Sequence, residues 1–264
     1  MLQPIVRMKP DTLNQENLRF EQAPLRQGVF LNSVPKSGSH LLRNIMRMFV
    51  PVEQQYHAQF IQWAILGQHL AAFDRNKPQL SWGHLFFADD SAMELARTRK
   101  ILLVRDPYSW VLARARFFLS EEFRGNIDRL KQGELTVNEL LNLMIFGIYQ
   151  KAPPMVDVFT HNAVAWLGTG AYLVRYEDLV AQLKNLESRE AEFFFANLLD
   201  ACGIEMPGDW RERVRTGSDR KQSGTARENL TAGVEIEFPD ELPEMQKRLV
   251  DFAVPGVREI LGYR

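Results

Sequence analysis

The chain has 264 residues, of which 45% are hydrophobic and 25% are charged, a balance typical of a globular protein able to bury a core. Its formal net charge of -1 excludes a strong field toward nucleic acid or an anionic membrane, so any anion site must be local. The single cysteine, Cys202, excludes an internal disulfide and a multi-cysteine zinc site. Because Cys202 ends an apolar helical pattern, we predict a packed side chain and not a nucleophile.

The N-terminal segment, residues 1–27, is polar and irregular, which predicts a peripheral arm. It lacks the apolar stretch of a signal peptide, and no run in the chain reaches the roughly 20 apolar residues of a membrane helix. We therefore expect a cytoplasmic protein with no membrane insertion and no nucleic-acid partner, and a homodimer is left open. Without repeats or low-complexity linkers, the simplest organisation is one domain over residues 1–264.

The first half of the chain alternates short apolar runs with helical patterns. Residues 28–34 predict a buried strand and residues 39–50 predict a helix with one apolar face. Residues 53–73 carry apolar side chains at helical spacing, and residues 79–86 predict a short strand. Residues 100–107 predict a strong buried strand, after which Asp106 and Pro107 cap and open the next helix.

The second half continues this alternation. Residues 121–165 predict mostly helix with a break at Pro153-Pro154, residues 171–179 predict a strand, and a helix is expected from about 183 to 202. Residues 208–236, rich in charge, Gly, Ser and Thr, predict an ordered loop or lid. The alternation predicts an α/β fold of three layers, αβα, with a P-loop-type central parallel sheet covered on both faces.

The stretch VPKSGSH connects the first predicted strand to the first predicted helix. Backbone N–H groups at a helix start favour an anion, and glycine lets the backbone approach it closely. The residues that we expect to hold an anion here are Lys36, Ser37, Gly38, Ser39 and His40. The loop lacks the Walker order of glycine, four residues and Gly-Lys-Ser/Thr, and Asp106 after Arg105 is a poor metal ligand, so a magnesium-nucleotide hydrolase is disfavoured.

Four segments together carry a resemblance to one family. VPKSGSHLL resembles the 5′-phosphosulfate loop of cytosolic-type sulfotransferases, and ILLVRDPYSWVLARARFF resembles their 3′-phosphate segment. YLVRYEDL resembles their third strand, and RKQSGTARENL (220–230) resembles their late loop, with VREILGYR similar to their last helix. The order matches over residues 29–264, so the sequence resembles a bacterial-like small-molecule sulfotransferase dependent on 3′-phosphoadenosine 5′-phosphosulfate (PAPS).

The resemblance implies a role for each matched residue. Residues 36–40 would hold the phosphosulfate, and the 3′-phosphate would meet Arg105, Arg220 and Lys221, with Gln222 completing that contact. Tyr176 would lie near the adenine, and residues 208–236 would cap the cofactor. PAPS would be the co-substrate, 3′-phosphoadenosine 5′-phosphate (PAP) the product, and no metal would be required.

The sequence departs from the family pattern at several places, including Thr225-Ala226-Arg227, where the late loop of the family has Gly-Asp-Trp. Ala113 stands where the family has a serine eight residues after the strand arginine, and His40 replaces a threonine. Gln222 replaces a glycine in the late loop, and Trp82 replaces a lysine two residues before a histidine. Each departure puts one inherited contact in question.

The family places a general base in a short strand before the 3′-phosphate arginine, and His84 in SWGHLFF matches it. An unperturbed imidazole pKa of roughly 6.5 suits proton abstraction near neutral pH. We predict in-line sulfuryl transfer in which His84 takes the proton of an acceptor hydroxyl or amine and Lys36 stabilises the leaving oxygen. The acceptor is expected to be a small molecule bound by residues 53–80 and 120–165.

Plainer interpretations stay open. His84 could be a hydrogen-bonded core histidine, Tyr176 a core residue, and Arg220 with Lys221 a solvated turn. Two other functions also stay open: a P-loop kinase for a small molecule, and a non-catalytic nucleotide-binding protein that kept the fold.

Overall fold

The computed structural model describes residues 11–57, 60–120, 130, 134–223 and 237–264. The chain divides into two compact units. The sheet unit comprises Lys9–Val104 and His161–Ala226, and the helical unit comprises Met1–Met8, Arg105–Thr160 and Arg227–Arg264. The prediction of one domain over residues 1–264 stays a prediction.

The described helices precede, separate and follow the strands along the chain. In chain order they are α1 (Leu13–Asn17), α2 (Ser39–Arg47), α3 (Asp89–Glu94), α4 (Pro107–Leu119), α5 (Val137–Phe146), α6 (Met155–Asn162), α7 (Tyr176–Lys184), α8 (Arg189–Ala201), α9 (Trp210–Ser218), α10 (Glu244–Ala253) and α11 (Val257–Ile260). Short 3₁₀ segments are Val52–Gln54, Trp63–Gln68, Leu70–Phe73 and Val164–Trp166. Within the described residues, no helix has the length and apolarity needed to cross a membrane.

Among the described residues, five strands form one parallel sheet, which belongs to the sheet unit. They are β1 (Val29–Ser33), β2 (Ile61–Gln62), β3 (Leu80–His84), β4 (Arg99–Val104) and β5 (Tyr172–Arg175), in the spatial order β2-β3-β1-β4-β5. The central strand β1 pairs Val29 with Leu80 on one side and with Arg99 on the other. The predicted fold class, a P-loop-type parallel sheet flanked by helices, is confirmed.

Alternate residues of the strands build the main core of the sheet unit. Leu31 of β1, Trp82 of β3 and Leu103 of β4 belong to one buried cluster with Ile45 of α2 and Phe195 of α8. On the opposite face, the ring of Phe30 meets Phe73 edge-on at 5.7 Å between centroids. Burial on both faces explains why these strands have nearly continuous apolar sequences.

Three predictions of local structure are wrong. Residues 53–73 contain the edge strand β2 and short 3₁₀ segments where an apolar helical pattern was expected. The strand predicted for 171–179 ends at Arg175, and Tyr176 begins α7, whose first turn has the acidic residues that a helix start favours. Within the predicted loop 208–236, residues Trp210–Ser218 form α9, which packs on α2 so closely that Gly217 contacts the α2 backbone.

The predicted polar arm is also wrong in its described part. Residues 11–27 contain the helix α1, and Leu13, Phe20 and Leu25 are buried. The buried amide of Asn17 donates to the carbonyl of Arg47 at 2.6 Å and to that of Val50 at 3.0 Å. These contacts satisfy backbone oxygens at the end of α2, which explains how a polar sequence packs.

In the helical unit, the predicted start of α4 is confirmed. The Asp106 carboxylate accepts a hydrogen bond from the backbone N–H of Tyr108 at 3.1 Å, and Pro107 is the first helical residue. Arg114 of α4 is buried and donates to the carbonyls of Met144 (2.8 Å) and Pro153 (2.6 Å). A guanidinium thus connects α4 to the end of α5 and to the predicted Pro153-Pro154 break.

Candidate active site

The loop from Val34 to Gly38 turns the chain sharply from β1 into α2. The N–H of Ser37 donates to the carbonyl of Val34 at 3.2 Å, and both Lys36 (φ 68°) and Gly38 (φ 92°) are left-handed. A lysine in this region carries backbone strain, which is most often found at functional sites. The turn positions α2 so that the N–H groups of its first turn follow the loop directly.

Tyr176 lies directly against Gly38. A Cβ atom added at residue 38 would stand 2.5 Å from the Tyr176 Cδ2 atom, so only glycine fits beneath the ring. Two residues that sequence analysis placed at opposite ends of one cofactor are therefore in contact in the sheet unit. Tyr176 begins α7 directly after β5, so it lies at the carboxyl edge of the sheet, where the loop with Gly38 also lies.

The loop serine Ser37 is fully buried. Its hydroxyl oxygen has no hydrogen-bond partner among the residues that the structure describes. A buried hydroxyl in that state costs about 1–3 kcal/mol, so a ligand at the loop would relieve the cost.

A hydroxyl pair joins the loop helix to the end of β3. The Oγ atoms of Ser33 and Ser39 are 2.7 Å apart, and Ser33 Oγ is also 3.1 Å from Nδ1 of His84. Ser33 is a functional candidate that sequence reasoning missed. The available signal was a hydroxyl at the end of the buried stretch VFLNS, directly before the loop.

The ring of His84 has a defined orientation. Its Nδ1 lies 2.8 Å from the carbonyl oxygen of Ser33, and since a carbonyl only accepts, Nδ1 carries the proton in the neutral ring. Nε2 is then the basic nitrogen. This arrangement gives the predicted base the tautomer that proton abstraction requires.

The charge state of His84 differs from the sequence expectation. Burial of the ring, the largest cause, and the nearby charge of Lys36 together lower the pKa of His84 to about 4, against the raising effect of hydrogen bonds with the backbone of Ser33 and Gly83. The imidazole is therefore neutral throughout the physiological pH range. The effect of Lys36 also shows that the two predicted catalytic side chains are in electrostatic reach of each other.

A cluster of rings covers the face of β3 beside His84. The ring centroid of Phe60 lies 5.5 Å from that of His84 and 5.6 Å from that of Trp82. The His40 ring meets Trp82 edge-on at 4.8 Å, and the guanidinium of Arg43 stacks over Trp82 at 4.8 Å. His40 thus contacts an indole ring, whereas the sequence analysis predicted only a role in the anion loop.

The late turn places the predicted cations on the surface. Arg220 and Lys221 are both exposed, and the backbone N–H of Lys221 donates to Asp219 at 2.9 Å. Gln222 contacts Thr12 through backbone and side chain. Residues 224–236, which hold the rest of the predicted cofactor-capping loop, lie outside the described residues.

The late turn is nevertheless attached to the helix that follows the anion loop. The amide of Asn44 in α2 donates to the Ser223 hydroxyl at 2.9 Å. Together with the packing of α9 on α2, this bond fixes where the chain emerges from α9.

Arg105 belongs to the helical unit, where its Nε atom donates to the Ser109 hydroxyl at 3.0 Å. Ser109 lies one helical turn before Ala113, on the same side of α4. The carboxylate of Asp106 forms an ion pair with Arg258, whose Nε atom lies 3.0 Å from it. The side chain of Asp106 is thus occupied by a helix cap and an ion pair.

The remaining histidines and the cysteine have ordinary structural settings. His69 is buried and its Nδ1 is 2.7 Å from the Tyr56 hydroxyl, whereas His57 and His161 are exposed. Cys202 is buried, and this burial raises its thiol pKa to about 12. The prediction of a packed cysteine is confirmed.

Among solved structures, the chain is similar to the crystal structure of mouse sulfotransferase SULT7A1 complexed with PAP. The two have a TM-score of 0.59 and 14% sequence identity, and the match covers 94% of this chain and 90% of that chain. At this identity the likeness shows the fold alone, which is a P-loop-type αβα fold. No protein-family model matches the sequence, and no curated protein does.

Proposed function

We propose that the protein is a PAPS-dependent sulfotransferase that moves a sulfuryl group to a hydroxyl or amine of a small molecule. The observation that carries this proposal is the arrangement of His84: its Nδ1–H faces the Ser33 carbonyl, Ser33 bonds to Ser39 of the anion loop, and the Lys36 charge acts on the ring. A base and an anion-binding loop thus share one hydrogen-bond network. The fold likeness to a PAP-bound sulfotransferase supports the same conclusion.

The phosphosulfate would bind at residues 36–40. The buried Ser37 hydroxyl and the first-turn N–H groups of α2 are donors suited to sulfate and phosphate oxygens. Tyr176 against Gly38 would offer an aromatic surface beside the same end of the nucleotide.

The 3′-phosphate would bind Arg105 with Arg220, Lys221 and Gln222, as the resemblance implies. A guanidinium suits a phosphate because it can donate two parallel hydrogen bonds. The hydroxyl that the family takes from the position of Ala113 would come from Ser109, which already bonds to Arg105. Each of these assignments is a proposal of its own.

The transfer would proceed in line. Nε2 of His84 takes the acceptor proton while the acceptor oxygen or nitrogen forms its bond to sulfur. The bond from sulfur to the bridging oxygen breaks, PAP leaves, and Lys36 stabilises the charge that grows on that oxygen. Because binding an anion at the loop offsets the Lys36 charge, it would also raise the His84 pKa toward a value better suited to base catalysis.

A small-molecule kinase is the second candidate. It would need a carboxylate for magnesium near the phosphate loop. Asp106, the nearest carboxylate after β4, is held by the Tyr108 N–H and by Arg258, which argues against that use. A non-catalytic PAP-binding protein is the third candidate, and it shares the binding features but not the transfer.

Calorimetry with PAP and with ATP–magnesium separates these functions. We expect PAP to bind and the Lys36→Ala variant to bind it more weakly, while ATP binds poorly. Tight ATP binding without PAP binding would refute the proposal. Sulfuryl transfer from radiolabelled PAPS to a panel of phenols, alcohols and amines then tests for catalysis, and PAP binding without any transfer would favour the non-catalytic alternative.

A further inference from the structure

Arg43 is a half-buried cation on the first turns of α2 whose described contacts include no carboxylate. Its guanidinium carbon lies 4.8 Å above the Trp82 ring, and no hydrogen bond or ion pair joins it to any described residue. The neighbouring Arg47 contrasts with it, since Arg47 donates to both carboxylate oxygens of Asp11 at 2.8 and 3.1 Å. The carboxylate in this region is thus already engaged by the other arginine.

The electrostatic setting of Arg43 favours an anion. Burial, the largest cause, and the charge of Arg47 together lower the pKa of Arg43 to about 10, while the charge of Asp11 acts in the opposite direction. The guanidinium is still protonated at neutral pH. A partly buried charge without hydrogen bonds is costly, and an added anionic partner would stabilise it.

A second donor in the same cluster is also unsatisfied. Trp82 is only 4% exposed. Its buried indole N–H has no hydrogen-bond acceptor among the described residues. Buried indole N–H groups normally find a partner. Two adjacent donors with no acceptor in the described part of the chain point to a ligand rich in acceptor oxygens.

This cluster lies next to the proposed base. Trp82 and His84 are two residues apart on β3, so their side chains leave the same face of the strand, roughly 7 Å apart along it. Phe60 contacts both rings. β3 lies on the opposite side of β1 from β4 and β5, so the cluster is on the side of the sheet away from Tyr176.

We propose that Arg43, with the Trp82 indole, binds an acidic group of the acceptor, so that the acceptor carries a carboxylate or a phosphate or sulfate ester besides its reacting hydroxyl. This inference rests on the proposed function and adds the substrate class. His84 would receive the hydroxyl, and Arg43 would hold the acidic end beyond Phe60 and Trp82. The Trp82 that replaces the family lysine would thereby contribute to recognition through its ring and its N–H.

The test uses three matched probes: 4-hydroxyphenylpropanoic acid, its methyl ester, and 4-hydroxyphenylpropyl phosphate. Thermal unfolding is measured for the full chain saturated with PAP, with and without each probe, because this reading does not require turnover. We expect both acids, but not the ester, to raise Tm. The two acids distinguish a carboxylate from a phosphate ester as the preferred group.

Radiolabelled transfer from PAPS gives the second reading. We expect kcat/KM to favour the acids over the ester, and Arg43→Gln to reduce that ratio about 10- to 100-fold, the effect of losing a charged hydrogen bond. Arg43→Lys should retain part of the acid-to-ester preference in kcat/KM, because lysine keeps the positive charge but lacks the paired N–H donors of a guanidinium. Arg215→Gln, at an exposed arginine that pairs with Glu187, is the matched control and should leave the ratio unchanged.

Trp82→Phe serves as an independent variant if Arg43→Gln does not fold. It keeps a ring and removes the N–H, so we expect the acid-to-ester ratio to fall roughly 2- to 10-fold. No acid-specific Tm increase in the PAP-bound wild type, or an unchanged ratio in both variants, would overturn the inference. Absence of PAP binding would instead refute the proposed function, so the two failures remain distinguishable.

Discussion

Two predicted anion contacts, the loop at residues 34–40 and the turn at residues 219–223, differ in how the fold holds them. The loop is partly buried, with Ser37 fully enclosed and Ser39 bonded through Ser33 to His84. The turn exposes Arg220 and Lys221 to solvent, and hydrogen bonds join its neighbouring residues to Asn44 and to Thr12. Fixed donors in a site shielded from water stabilise charge far more than mobile surface cations do. The loop should therefore dominate catalysis, and the turn should tune affinity.

Replacing the proposed base should have the largest effect. We expect His84→Ala to reduce sulfuryl transfer about 10²- to 10⁴-fold, because it removes the group that takes the acceptor proton. Transfer from radiolabelled PAPS measures it. His161→Ala is the matched control because His161 is exposed, and near-normal transfer by His84→Ala would remove His84 from the base role.

Gly38→Ala should have the next largest effect. The new Cβ would meet the Tyr176 ring at 2.5 Å and would occupy a left-handed backbone, so we expect PAP affinity in calorimetry to fall about 10- to 100-fold. Gly168→Ala separates strain from steric contact, because Gly168 is also left-handed (φ 76°) but faces open space. Equal loss of PAP affinity in both variants would contradict the importance of the Tyr176 contact.

The pH dependence of the free energy of unfolding tests the burial of His84 beside the anion loop. Burial holds the His84 pKa at about 4, below its ordinary value of 6.5, so the unfolded chain binds more protons than the folded protein between these values. The free energy of unfolding should therefore decrease as pH falls from about 6.5 to 4. Urea unfolding of wild type and His84→Gln measures this, and the variant should lose that part of the slope.

The same pKa makes a kinetic prediction. With PAPS as the varied substrate, kcat/KM reports the protein before the anion binds, so it should show no loss from His84 near pH 6.5, and the loss should come only as pH approaches 4. An acid limb centred near pH 6.5 that disappears in His84→Gln would show that the ring is solvated in the free protein.

The exposed turn should give the smallest effect. We expect Arg220→Ala and Lys221→Ala each to weaken PAP binding about two- to fivefold at low salt, because exposed charge pairs contribute little and are screened. Calorimetry at low and high ionic strength measures this. A loss as large as that of Gly38→Ala, persisting at high salt, would show that the turn is as preorganised as the loop.

Much of the fold followed from apolar patterning. Strands β1, β3 and β4 are buried on both faces. Strands of this kind have nearly continuous apolar sequences, so the sequence alone predicts them. The errors arose where local pattern and packing disagree. Residues 13–25 have a polar sequence, yet Leu13 and Asn17 are buried against α2. The sequence YEDL follows directly on the apolar strand β5, but these residues form the first turn of the helix α7.

The sequence alone determined the order of β1, β3, β4 and β5, the predicted anion loop with its early lysine, and the candidacy of His84, because each depends on neighbouring residues along the chain. Only the tertiary structure decided that Tyr176 covers Gly38, that Ser33 joins the loop to His84, and that Arg43 lies over Trp82. The physical reason is that proton affinity and donor satisfaction depend on burial and on partners distant in sequence. The neutral state of His84 is the clearest case, because burial of its ring lowers its pKa to about 4, well below the ordinary value for histidine.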